Sequence, residues 1–95
     1  VVVFQTSPPV LEVGRHFTVD VRVCADAPPA TLTRIDADMP EHRHGMNYRP
    51  SLAPRGPGRY VAEGLMFHMP GRWRLLFDVE RGGRRVRVAA EMTVE

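Results

Sequence analysis

Hydrophobic residues recur at every second position in several stretches of the chain. Phe17, Val19, Val21 and Val23 alternate with Thr18, Asp20 and Arg22, and Ile35, Ala37 and Met39 alternate with Arg34, Asp36 and Asp38. Trp73, Leu75, Phe77 and Val79 repeat the pattern, as do Val86, Val88, Ala90, Met92 and Val94. Period two is the mark of a strand with one buried face. Val1 to Phe4 is a short β-branched run that meets Thr6-Ser7-Pro8-Pro9, where neither proline can donate a ladder hydrogen bond, so it reads as an edge strand and a turn. Arg59 to Glu63 predicts a further strand, and Leu65 to Met69 either extends it beyond Gly64 or forms the corner before Pro70-Gly71. No window carries a helical stripe, and the chain has neither an internal repeat nor a low-complexity segment.

Turn signals separate these runs. Val13-Gly14-Arg15 and Ala27-Pro28-Pro29-Ala30 break the chain, and Arg81-Gly82-Gly83-Arg84 has the Gly-Gly centre of a tight hairpin. The longest irregular stretch is 41–58, in which Asn47 to Ser51 predicts a short edge strand. The expected strands are A (1–5), B (16–24), C (32–39), D (about 47–52), E (59–63), F (72–80) and G (84–94). Strands at this spacing predict an all-β fold, an immunoglobulin-like antiparallel β-sandwich of six to seven strands in a single domain over 1–95. The parities put Phe17, Val19, Val21, Val23, Trp73, Leu75, Phe77, Val86, Val88 and Ala90 on inward faces. Cys24 is the only cysteine, so the inter-sheet disulfide of antibody domains is excluded, as are thiol-based zinc and redox motifs.

Length and charge narrow the function classes. A chain of 95 residues supports one core, and its longest apolar run falls far short of the ~20 residues that span a bilayer. Val1 is not an initiator Met, which leaves room for a signal peptide or membrane anchor ahead of it. All 13 basic residues are Arg, which lifts the pI to 9.3 although the formal net charge is only +2. Arg81, Arg84, Arg85 and Arg87 form a basic patch, but no aromatic residues interleave with it to stack bases, so no nucleic-acid partner is expected. Ser7 and Ser51 lie in no nucleophile motif and no carboxylate pair flanks a cleft-like segment, so no enzymatic activity is expected.

The candidate chemistry lies in Met39-Pro-Glu-His-Arg-His-Gly-Met46 and in its echo, Phe67-His-Met-Pro-Gly-Arg-Trp73. His42 and His44 form a His-x-His pair, and in an extended segment residues i and i+2 point the same way about 6.5 to 7 Å apart. His68 and Met69 offer further donors from a second loop, and Met46 closes the first. In the expected topology the A–B, C–D and E–F connections share one end, which gathers His16, His42, His44 and His68 with Met39, Met46 and Met69. Cys24 and the Arg-rich hairpin fall at the other end. Imidazole and thioether without thiolate or paired carboxylate point to copper, Cu(I) before Cu(II). A blue-copper centre needs a thiolate among its histidines, and Cys24 is misplaced for that. Met39 continues the inward parity of Ile35 and Ala37 and reads as core. The alternative is an interaction module in which the histidines are solvated or bonded to carbonyls and the methionines cap the core.

Met39-Pro-x-His-x-His-Gly-Met46, followed by Gly58-Arg59-Tyr60-x-x-x-Gly64-Leu65-x-Phe67-x-Met69-Pro70-Gly71-x-Trp73, resembles the YtkA-like domain family, which is related to the FixH-type membrane proteins of cytochrome oxidase assembly. The resemblance covers about residues 15–94. It implies a periplasmic or otherwise extracytoplasmic β-sandwich, often tethered by an N-terminal helix or lipid and associated with copper handling. Its implied partners are an envelope copper protein or an oxidase subunit. His42, His44, Met46, His68 and Met69 match the positions where metal ligands are suspected in that family.

Overall fold

Among the described residues, alternating apolar positions and Gly/Pro breaks build eight strands, β1 (Val2–Ser7), β2 (Phe17–Val23), β3 (Ala30–Met39), β4 (His44–Gly45), β5 (Ser51–Pro54), β6 (Arg59–Leu65), β7 (Gly71–Arg81) and β8 (Arg84–Val94). The computed structural model describes residues 2–24, 30–42, 44–46 and 48–95, His44 by its backbone alone. Val1, the Ala27-Pro28-Pro29 break, Asn47 and the His44 side chain lie outside the described residues. Two antiparallel sheets form, ordered β1-β2-β6-β5 and β4-β3-β7-β8. With β4 as an added two-residue strand, this is the A-B-E-D and C-F-G arrangement of an immunoglobulin-like sandwich.

Phe17, Val19, Val21 and Val23 from one sheet face Ile35, Ala37, Trp73, Leu75 and Phe77 from the other, and all are buried. An aromatic chain runs through this layer. Phe17 and Phe67 have ring centroids 5.0 Å apart, and Phe67 stacks on Trp73 at 4.5 Å with 26° between the planes. Phe4 ties edge strand β1 across the sandwich to Phe77, at 5.3 Å.

The structure departs from the sequence expectation in three places. Strand D is β5, Ser51–Pro54, later than the expected 47–52, and a proline is tolerated there because β5 lies at a sheet edge. Leu32 is buried together with Ile35, which simple alternation forbids, because the β3–β7 register shifts between Leu32 and Arg34 and turns the strand by one residue. Val86 and Val88, expected to be buried, are 53% and 37% exposed. Their parity is as expected, since Ala90 and Met92 pack on the core and Val94 is buried on the same face. The reason is reach: β1 is the edge of its sheet and packs through Phe4 on β7, so the first half of β8 overhangs without cover.

The outer face of the β3-β7-β8 sheet is a lattice of ion pairs. Arg74 makes two hydrogen bonds to Asp38, of 2.9 and 2.7 Å, and Arg34 reaches Asp36 at 2.7 Å. Arg87 donates from Nε and Nη2 to the two carboxylate oxygens of Asp78, at 2.8 and 3.2 Å. Asp78, like its neighbour Leu76 on this face, is buried, and it is the charged residue of the lattice that is. A buried carboxylate is tolerated when a charged donor satisfies it, and the Arg87 hydrogen bond holds the Asp78 carboxyl below the usual carboxylate range against the opposing effect of burial.

A depressed folded-state value means that the pair contributes stability above the unfolded carboxylate pKa, near ~3.9, and that the contribution is lost as pH falls through the lower folded value. Arg87→Ala removes it. Urea unfolding is therefore expected to show the variant less stable than wild type at pH 7, with the gap closing as the pH is lowered below the carboxylate range. A gap independent of pH would contradict the assignment.

Candidate metal centre

Antiparallel pairing decides which loops meet. Ser7 lies beside Thr18, Phe17 beside Leu65, Met39 beside His44 and Gly71 beside Val94, so the β1–β2, β3–β4 and β6–β7 connections emerge at one end. Ala30, Arg81 and Arg84 pair at the other end, where β2 leads out to the exposed Cys24. The expected segregation of the histidines from Cys24 and the Arg-rich hairpin is what these registers produce.

Three contacts hold the histidine-bearing connections against one another. The Gly14 amide donates to the Phe67 carbonyl at 2.9 Å, joining the β1–β2 connection to the β6–β7 corner. Glu41, next to His42, pairs with Arg72 at 3.5 Å, although both side chains are more than half exposed and the pair is weak by itself. Met39 is 1% exposed, and its methyl passes so close to Gly71 that a Cβ there would lie 2.8 Å from it. Gly71 also has φ 132°, a region that side-chain-bearing residues rarely enter.

The individual donors divide by environment. His42 is exposed in the turn after β3, and its amide donates to the Met39 carbonyl at 3.2 Å. His44 opens β4, so the His-x-His pair straddles a turn and a strand and does not lie in one extended segment. Met39 and His44 pair as strand neighbours and His42 stands in the turn after β3; the same-side spacing expected for the pair depends on the His44 side chain, which lies outside the described residues. Met46 is half-buried against the core and lines a groove on the flank of the sandwich with Ile35, Tyr48 and Leu52; its amide donates to the Ala37 carbonyl at 3.1 Å.

In the β6–β7 corner, Met69 is half-buried on the core and its carbonyl accepts the Trp73 indole N–H at 3.0 Å. His68 is half-buried with Nδ1 inside, and its ring stands edge-on to Trp73, centroids 5.6 Å apart at 77°. His16 is exposed and edge-on to Tyr48 at 5.6 Å. Among the described residues, which exclude the His44 side chain, no three His, Cys, Asp or Glu side chains converge on a point. The Trp73–Met69 bond and the Glu41–Arg72 pair were not read from sequence. The first had a signal in the four-residue spacing of Met69 and Trp73, whereas the second joins residues 31 positions apart and had none.

No family model, curated protein or solved structure matches the chain. The resemblance to YtkA-like domains accordingly rests on the residues of the Met39–Met46 and Gly58–Trp73 motifs.

Gly71→Ala is expected to lower stability by roughly 1–3 kcal/mol, because the new Cβ meets the Met39 methyl and the backbone sits at positive φ. Gly45→Ala, where a Cβ meets nothing, serves as the control. Denaturant unfolding measures both, and equal effects would contradict the close Met39–Gly71 approach.

Proposed function

We propose that this domain binds copper, Cu(I) foremost, at the His/Met end of the sandwich, with ligands drawn from His42, His44, His68, Met46 and Met69. The observation that carries the reading is the abutment of the turn after β3 and the β6–β7 corner, fastened by the Glu41–Arg72 pair and the Met39–Gly71 contact. His42 on one connection and His68 with Met69 on the other are thereby carried by a shared scaffold, as binding residues on loops commonly are. The soft thioethers favour the monovalent ion, and the imidazoles also accept Cu(II). An exposed His42 on one connection and half-buried His68 and Met69 on the other suit an ion that enters from solvent and is passed on. The role is copper delivery or oxidase assembly outside the cytoplasm, with an envelope copper protein or an oxidase subunit as recipient, which the YtkA-like motifs support.

A second reading, an immunoglobulin-like interaction module, draws on the structural duties the same residues perform: Met46 packs on the core and the Met69 carbonyl anchors Trp73. One titration separates the two. Trp73 is the only tryptophan and its ring lies 5.6 Å from that of His68, so Cu(II) bound at this end is expected to quench its fluorescence. In competition with a Cu(I) chelator, His42→Ala/His44→Ala is expected to lose at least about tenfold in affinity at pH 7 with the fold retained. Met69→Leu is expected to weaken Cu(I) more than Cu(II), and Cys24→Ser to change neither. Affinity falls on acidification because protons compete for imidazole. Wild-type binding no tighter than that of the double variant would overturn the copper reading in favour of the interaction module.

A further inference from the structure

The four sheet edges are not alike. β1 has six residues and runs into Pro8-Pro9; β4 has two residues, and the stretch of β3 beyond it is broken by the register shift between Leu32 and Arg34; β5 has four residues, follows Pro50 and ends at Pro54. Short length and missing N–H groups are the ordinary means of blunting an edge against strand addition. β8 has neither. It runs eleven residues, contains no proline and pairs only with β7. A charge pointing inward would also protect such an edge, but the one charge at that parity, Arg84, stands at the hairpin end, and the positions that follow are Val86, Val88, Ala90 and Met92, with the two valines 53% and 37% exposed. Its other charged residues, Arg85, Arg87 and Glu91, stand on the opposite, ion-paired face.

We propose that β8 is a self-association edge, on which a second copy of this chain adds its own β8 antiparallel about a two-fold axis at Ala89, joining the two β4-β3-β7-β8 sheets into one. The strand is self-complementary in that register. On the apolar face Val88 meets the partner's Ala90 and Val86 meets the partner's Met92, so each uncovered valine is capped. On the outer face Arg87 meets the partner's Glu91, and by symmetry this happens twice. Arg87 can serve both neighbours, because its bonds to Asp78 use Nε and Nη2 and leave Nη1 facing away. Shifting the axis to Ala90 sets Arg87 against the partner's Thr93, and shifting it to Val88 sets Arg87 against the partner's Ala89; either loses the charge match. Registers that pair odd with even positions bring the valines to the polar face and are excluded by the pleat.

The experiment uses the full chain carrying Cys24→Ser, with a chelator present so that metal bridging plays no part. Sedimentation velocity over a concentration series is expected to show a reversible monomer–dimer equilibrium. Val88→Lys, which places a charge at a position already part-exposed, is expected to raise the dissociation constant at least about tenfold while leaving the circular dichroism spectrum unchanged. Independently, Ala89→Cys is expected to give a disulfide-linked dimer under diamide, because the axis sets residue 89 opposite its own copy, whereas Arg85→Cys is not. A monomer at every concentration, a dimer indifferent to Val88→Lys, or cross-linking through Arg85→Cys in place of Ala89→Cys would each overturn the proposal.

Discussion

The stack of Phe67 on Trp73 is the contact on which the rest of the molecule depends. Phe67 lies just beyond the end of β6 in one sheet and Trp73 lies near the start of β7 in the other, so the pair pins the crossing between sheets at the depth of the core. Both side chains are fully buried, and the Trp73 indole N–H is satisfied by the Met69 carbonyl within the same corner. An aromatic of this size contributes through buried area and stacking only if its polar edge also finds a partner, and Met69 supplies one at a spacing of four residues. With the corner fixed, His68 and Met69 have a defined setting, and Gly14 and Gly71 can bring the neighbouring connections up to it.

The fold was legible because period-two patterning is dense in this chain and turn chemistry is explicit. Phe17 to Val23 and Trp73 to Phe77 needed nothing beyond parity, and the Gly82-Gly83 hairpin nothing beyond turn rules. Burial of Val86 and Val88 was not legible, because parity reports which face a side chain takes and says nothing of whether the opposite sheet extends far enough to cover it. Leu32 escaped for a related reason, since a bulge leaves no signature in alternation.

For the candidate site, sequence order and strand antiparallelism sufficed to bring the histidine-bearing connections to one end, a consequence of topology that needs no side-chain detail. What sequence could not supply was the local backbone between Met39 and His44. The His-x-His spacing argument assumed an extended segment, and a turn stands there. The long-range Glu41–Arg72 pair was likewise invisible, because nothing local relates residues on separate connections.

The central claim, that copper is held by thioether and imidazole together at this corner, is tested most directly by X-ray absorption at the copper edge of the Cu(I)-loaded Cys24→Ser protein, in which methionine is the only sulfur source. Sulfur and nitrogen scatterers are expected in one coordination shell, with the sulfur contribution reduced in Met69→Leu. A shell of nitrogen and oxygen alone, or a sulfur contribution unchanged by Met69→Leu and Met46→Leu together, would contradict it.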